Sequence, residues 1–136
     1  MTHAILVIDD HPVTREPLAK LLRYEGFSAT CAANGVDALA ALERMPPPDL
    51  ILLDVLMPKM NGIDFLQTVR ADPRWSAIPV IALTGVMDPN HIQRLTELGV
   101  VEIMTKAKFT VEELLERVRA HVSDDSTGRQ DPARPV

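Results

Sequence analysis

Short apolar runs recur along this chain, separated by stretches whose apolar residues return at helical intervals, and no other feature limits the possible folds as strongly. Ala4–Ile8 is a β-branched-rich run with no polar alternation, the pattern of a strand covered on both faces. Leu50, Ile51, Leu52 and Leu53 form another such run, and Val80, Ile81, Ala82 and Leu83 a third. Residues 27–32 and 100–105 read as two further strands.

Helical patterns fill the gaps. Val13, Leu18, Leu21 and Leu22 share one side of the first, which Gly26 ends, a residue that tolerates the left-handed conformation after a helix. Residues 36–42 form the second, entered through Asn34 and Gly35 and stopped by Pro46, Pro47 and Pro48. Ile63, Leu66, Val69 and Arg70 fit a third behind the turn signal Asn61-Gly62, and residues 89–98 fit a fourth. Thr110 and Glu113 have capping-box spacing, and Leu114, Leu115, Val118 and Val122 follow at helical intervals. Pro17 falls inside the first pattern, where a proline costs roughly 3 kcal/mol; a late helix start or a kink is expected there.

Strands alternating with helices imply a parallel sheet with helices on both faces. The expected fold is α/β, a doubly wound five-stranded parallel sheet in the order 2-1-3-4-5. In that order a crevice opens at the carboxyl ends of the first and third strands, where the strand order reverses. Asp9 and Asp10 lie at one of those ends and Asp54 at the other. Singly, each has an ordinary explanation, as a helix cap beside Pro12 or as a loop acid. Together they repel one another and resist desolvation. A hard divalent cation such as Mg2+, which takes oxygen ligands, resolves that conflict. Thr84 closes the fourth strand and Lys106 lies at the end of the fifth. Alone they read as a helix cap and an exposed lysine. In one crevice with the acids they supply a hydroxyl and a cation suited to phosphoryl oxygens.

Composition narrows the function by exclusion. The 136 residues fit one domain, and 46% apolar with 24% charged residues fits a soluble globule. A net charge of −5 argues against nucleic acid or an anionic membrane as a partner of this domain. The single cysteine, Cys31, cannot form an internal disulfide, which agrees with a reducing compartment. The first ten residues lack the basic segment of a signal peptide, and Asp54 breaks the longest apolar stretch well short of a membrane span. His3, His11, His91 and His121 have no metal-ligand spacing, and His11 reads as an exposed loop histidine beside the acid pair. Residues 123–136 are polar with prolines and mixed charge, and read as a disordered tail or truncated linker behind a domain at 1–122.

Several segments together resemble a known family: Ile5-Leu-Val-Ile-Asp-Asp10, Leu53-Asp-Val-Leu-Met-Pro-Lys-Met-Asn-Gly62, Pro79-Val-Ile-Ala-Leu-Thr-Gly85 and Thr105-Lys106, with matching spacings between Asp10, Asp54, Thr84 and Lys106. Over about residues 3–122 the chain resembles the receiver domain of bacterial two-component response regulators, whose fold is flavodoxin-like. The resemblance implies that Asp54 is the phospho-acceptor. It implies that Asp10, Asp54 and the backbone carbonyl of Leu56 ligate Mg2+, with Asp9 acting through water, and that Thr84 and Lys106 hold the phosphoryl oxygens. The donor would be a sensor histidine kinase or a histidine phosphotransfer protein, and the output altered binding to an unidentified downstream protein in the cytoplasm. Such a domain catalyses only its own phosphorylation and dephosphorylation.

The chain departs from the family in places. Ile103 stands where an aromatic switch residue is usual, and Ala107 where a proline, often after a cis peptide, is usual. Leu56 and Val86 are apolar at positions that flank water's path to the acyl phosphate, so slow loss of the phosphoryl group is expected. Three other readings compete. A flavodoxin-like electron carrier would need a loop hospitable to a flavin phosphate where Asp9 and Asp10 stand. A Mg2+-dependent aspartyl-phosphate phosphohydrolase would want an acid at Leu56. A receiver-like interaction module without phosphorylation gains weight from Ile103 and Ala107 and loses it to the intact acids, Thr84 and Lys106.

Overall fold

Apolar residues on alternate sides of a strand need cover on both faces, and the chain supplies it with helices. The computed structural model describes residues 2–55, 61–85, 88–106 and 108–122. Its elements run β1 (Ala4–Ile8), α1 (Pro12–Tyr24), β2 (Ser28–Ala32), α2 (Gly35–Arg44), β3 (Leu50–Asp54), α3 (Gly62–Ala71), β4 (Val80–Thr84), α4 (Pro89–Glu97), β5 (Glu102–Thr105) and α5 (Val111–Val122). The strands form one sheet in the order β2-β1-β3-β4-β5, and every pairing is parallel. The expected fold class is the observed one.

On one face Ile5, Val7, Leu50, Leu52, Ile81 and Leu83 pack against α1 and α5 through Ala19, Leu22, Leu114 and Val118. On the other, Leu6, Ile8, Ile51, Leu53, Val80 and Ala82 meet α2, α3 and α4 through Leu42, Phe65, Leu66 and Leu95. The unbroken apolar runs are the three central strands. The two edge strands, β2 and β5, are only partly buried, which is why their sequences carry more polar residues.

Local signals set the helix ends. Asn34, Asn61 and Asp88 cap α2, α3 and α4 with side-chain oxygens that accept backbone N–H groups. Thr110 and Glu113 form the expected reciprocal box ahead of α5, at 3.1 and 2.8 Å.

Two strand starts fall later than the sequence implies, for one reason. Gly26 and Gly99 adopt φ of +98° and +77°. Behind them Phe27 donates to the carbonyl of Leu22, and Val100 to that of Leu95. Each pair of residues completes the closing turn of a helix, so Phe27 and Val100 belong to the ends of α1 and α4, not to β2 and β5.

Of the late helix start or kink expected at Pro17, the late start does not form. α1 begins at Pro12 and holds Pro17 in its interior. The carbonyl that Pro17 leaves without its helical donor belongs to Val13, in the first turn, where the residue is 83% exposed and water can take the donor's place. Pro12 at the start has no N–H to orphan, while Ala19 and Leu22 anchor the rest of the helix in the core.

Candidate functional site

The carboxyl ends of β1, β3, β4 and β5 bring the polar residues together. Ile8 is in register with Leu53, Asp54 with Leu83 and Thr84 with Thr105. Asp54 is therefore the last residue of β3 and Thr84 the last of β4. Asp9 continues β1 by donating its N–H to the carbonyl of Ala32. The Lys106 N–H donates to the carbonyl of Thr84 at 2.9 Å, which places that residue beside the end of β4. Asp9, Asp54 and Thr84 are all buried.

One ammonium spans two of the acids. Lys106 Nζ lies 3.4 Å from Asp9 Oδ2 and 3.3 Å from Asp54 Oδ2. Asp10 adds a third carboxylate beside that pair. Oxygen donors are short of partners: Asp9 Oδ2 and Asp10 Oδ1 are buried and accept no hydrogen bond. Donor atoms from Asp9, Asp10, His11 and Asp54 all lie within 4.8 Å of one another. The electrostatic consequence falls on Asp54. Burial pushes its carboxyl from 3.8 up to about 6, the charge of Asp9 and the contact with Asp10 push the same way, and Lys106 opposes them.

Around this centre the fold adds supports that sequence reasoning missed. Gly62 reads as half of a turn signal, but the first residue of α3 lies against the strand that ends at the acid. A Cβ there would sit 2.7 Å from the Cα of Val55 and 3.3 Å from the carbonyl oxygen of Asp54. Its N–H donates to the carbonyl of Val55 at 2.8 Å. Arg15, which no sequence motif singles out, donates from Nη1 to the carbonyl of Asp9 at 2.8 Å. The available signal was its place just over a helical turn behind the acid pair. His11 is exposed, as expected, but its Nδ1 approaches Asp10 Oδ1 to 3.0 Å. Ile103, in register with Ala82, packs against the core on the face shared with Phe65 and Leu66. Leu56, Val86 and Ala107 lie outside the described residues.

Comparison with known proteins identifies the family. The model of the response regulator receiver domain family matches residues 5–119. Over 122 residues the chain is 39% identical to the DNA-binding response regulator MtrA of Mycolicibacterium smegmatis, covering 90% of this chain and 51% of that protein. Among solved structures, the signal receiver domain of a histidine kinase from Syntrophus aciditrophicus superposes with a TM-score of 0.84 at 30% identity, covering 99% of this chain and 98% of that one. The receiver domain of the Pseudomonas aeruginosa sensor histidine kinase PA1611, solved with a magnesium ion coordinated in its active site cleft, gives 0.79 at 26% identity, covering 90% and 98%. The chain belongs to the response regulator receiver domain family and is a receiver of two-component signal transduction. It spans about half the length of the curated relatives it matches. No helix among the described residues is long and apolar enough to cross a membrane.

Proposed function

We propose that Asp54 accepts a phosphoryl group from a phosphohistidine on a sensor histidine kinase or a histidine phosphotransfer protein, and that the change alters binding to a downstream protein. The observation that carries this reading is a buried carboxylate at the end of β3, held 3.3 Å from Lys106 Nζ, beside two acids with orphaned oxygens. A carboxylate oxygen of Asp54 attacks phosphorus, the P–N bond to the donor imidazole breaks, and an acyl phosphate forms. Lys106 neutralises charge on the transferred group, and the Thr84 hydroxyl donates to one of its oxygens. A pKa near 6 keeps the nucleophile ionised at neutral pH.

The donor set fits Mg2+: clustered carboxylate oxygens, two of them without hydrogen bonds. Asp10, Asp54 and the backbone carbonyl of Leu56 would hold the ion, with Asp9 acting through water. When bound, it offsets repulsion among the acids and supplies positive charge to the phosphoryl oxygens. The domain catalyses its own phosphorylation and dephosphorylation and no other reaction.

Residues 1–122 form the receiver and 123–136 a tail or linker. The acidic balance of the chain, −5 over its 136 residues, supports a domain that itself contacts neither nucleic acid nor membrane, and it works in the cytoplasm. Apolar Leu56 and Val86 should make loss of the phosphoryl group slow. Intact mass after incubation with Mg2+ and acetyl phosphate tests the core of this reading: the parent gains one phosphoryl group and Asp54→Asn gains none. Equal labelling of that variant sinks it. Loss of label from the parent, compared with Leu56→Asn and Val86→Glu, tests the lifetime: the polar variants should lose it faster.

A further inference from the structure

The carboxylates are not the only donors at the site. His11 follows the acid pair directly, and its backbone N–H donates to Asp9 Oδ1 at 2.9 Å. That turn brings the ring back over the cluster. His11 Nδ1 then stands 3.0 Å from Asp10 Oδ1 and 3.6 Å from Asp9 Oδ1. A separation of 3.0 Å suits a hydrogen bond, yet Asp10 Oδ1 accepts none. Nitrogen and oxygen are close without pointing at each other. Donors sharing one ion at bonds of about 2.1 Å stand roughly 3.0–3.4 Å apart, in octahedral or tetrahedral geometry. The second, independent observation is Asp9 Oδ2. It belongs to a residue 1% exposed, accepts no hydrogen bond, and has the Lys106 ammonium at 3.4 Å.

We propose that His11 Nδ1 is a further metal ligand, and that it gives this receiver a site for a first-row transition dication such as Fe2+, Ni2+ or Zn2+. The inference rests on the divalent-cation reading of the acid cluster and specifies which ions that cluster takes. Imidazole nitrogen binds those ions far better than it binds Mg2+, which prefers oxygen. The ring must be neutral with its proton on Nε2, so that the Nδ1 lone pair is free. At 61% side-chain exposure, the ring's far edge can hold that proton in water.

Zn2+ is the probe, because it is diamagnetic and leaves NMR spectra readable. In the parent protein, ring 15N resonances assigned through each histidine's own backbone should show His11 Nδ1 shifting on addition of Zn2+. Calorimetric titrations should show Zn2+ affinity falling at least about tenfold in His11→Phe, while Mg2+ affinity stays within about twofold. The NMR measurement needs no variant. His11→Phe should fold regardless, since the side chain makes no cap hydrogen bond to α1. Zn2+ binding that leaves the His11 ring unshifted overturns the proposal. So does an equal loss of Zn2+ and Mg2+ affinity, which would mean that His11 only positions Asp10. If Zn2+ shifts His11 and Mg2+ does not bind the parent, this inference stands and the Mg2+ reading fails.

Discussion

The two ends of the sheet hold polar groups under opposite terms. At the amino-terminal end Arg70, from α3, donates to the carbonyls of Leu98 at 2.8 Å, Ser76 at 3.0 Å, Ile78 at 2.8 Å and Gly99 at 3.3 Å. One guanidinium ties the last turn of α3 to the segments entering β4 and β5. Nearby, Arg74 pairs with Glu43 and Asp72 and lies 4.2 Å over the ring of Trp75. At the carboxyl-terminal end Lys106 pairs with Asp9 and Asp54, Asp10 stands beside them, and one oxygen each of Asp9 and Asp10 accepts no hydrogen bond. A satisfied polar cluster holds a fold together. An unsatisfied one lowers the stability of the protein alone and is made good by a ligand.

If that contrast is real, mutations at the two ends should have opposite signs. The largest effect is expected from Arg70→Met. It removes the donor from four carbonyls and should cost about 2–4 kcal/mol in a denaturant melt. A loss under about 1 kcal/mol would make the amino-terminal clamp ornamental.

Gly62→Ala comes next, at about 1–3 kcal/mol, because its new Cβ has only the backbone of Val55 and Asp54 to displace. It should also slow labelling of Asp54 by acetyl phosphate. Unchanged stability with unchanged labelling would show that the α3–β3 contact has room to give.

At the acid end, removing charge should stabilise. Without metal, Asp54→Asn is expected to gain about 1–2 kcal/mol at pH 7. The sign follows from linkage. Asp54 titrates near 6 in the fold and near 3.8 unfolded, so the native state binds the proton more tightly. Its contribution to stability is fully present below pH 3.8 and is lost as pH rises through about 6. The gain of Asp54→Asn over the parent should therefore shrink on acidification and vanish near pH 4. A gain that is independent of pH would locate its cause elsewhere. Asp10→Asn should raise metal-free stability by less and weaken Mg2+ binding, read by melts with chelator and with Mg2+.

The smallest effect is expected from Glu43→Gln. Its pairing with Arg74 is solvent-exposed, and such pairs are worth little. A measurable drop in Tm would mean that the pairs around Arg74 act as a network.

Much of the fold was legible in the residues themselves. Unalternated, short apolar runs at β1, β3 and β4 suit strands covered on both faces, and helix-period segments between them favour parallel pairing. The strand order and the topological rule then locate the crevice, and Asp9, Asp10, Asp54, Thr84 and Lys106 all lie at the strand ends named for them. Less legible were the edges of elements. The closing turns at Gly26 and Gly99 draw on residues that also suit a strand, and propensity cannot separate the two. No late start occurs at Pro17, because local cost is weighed against core anchoring that lies outside the local sequence.

The sequence by itself determined which chemistry is available, since residue types and their spacing along a doubly wound chain decide what can meet at the crevice. Tertiary structure alone decided how those groups stand toward one another. Spacing does not say that Lys106 reaches both Asp9 and Asp54, that Arg70 donates to four carbonyls, or that His11 turns back over Asp10 without a hydrogen bond. The reason is physical. A polar group's state depends on the water removed from it and on partners that approach from distant segments, and both arise only when the sheet and its helices close together.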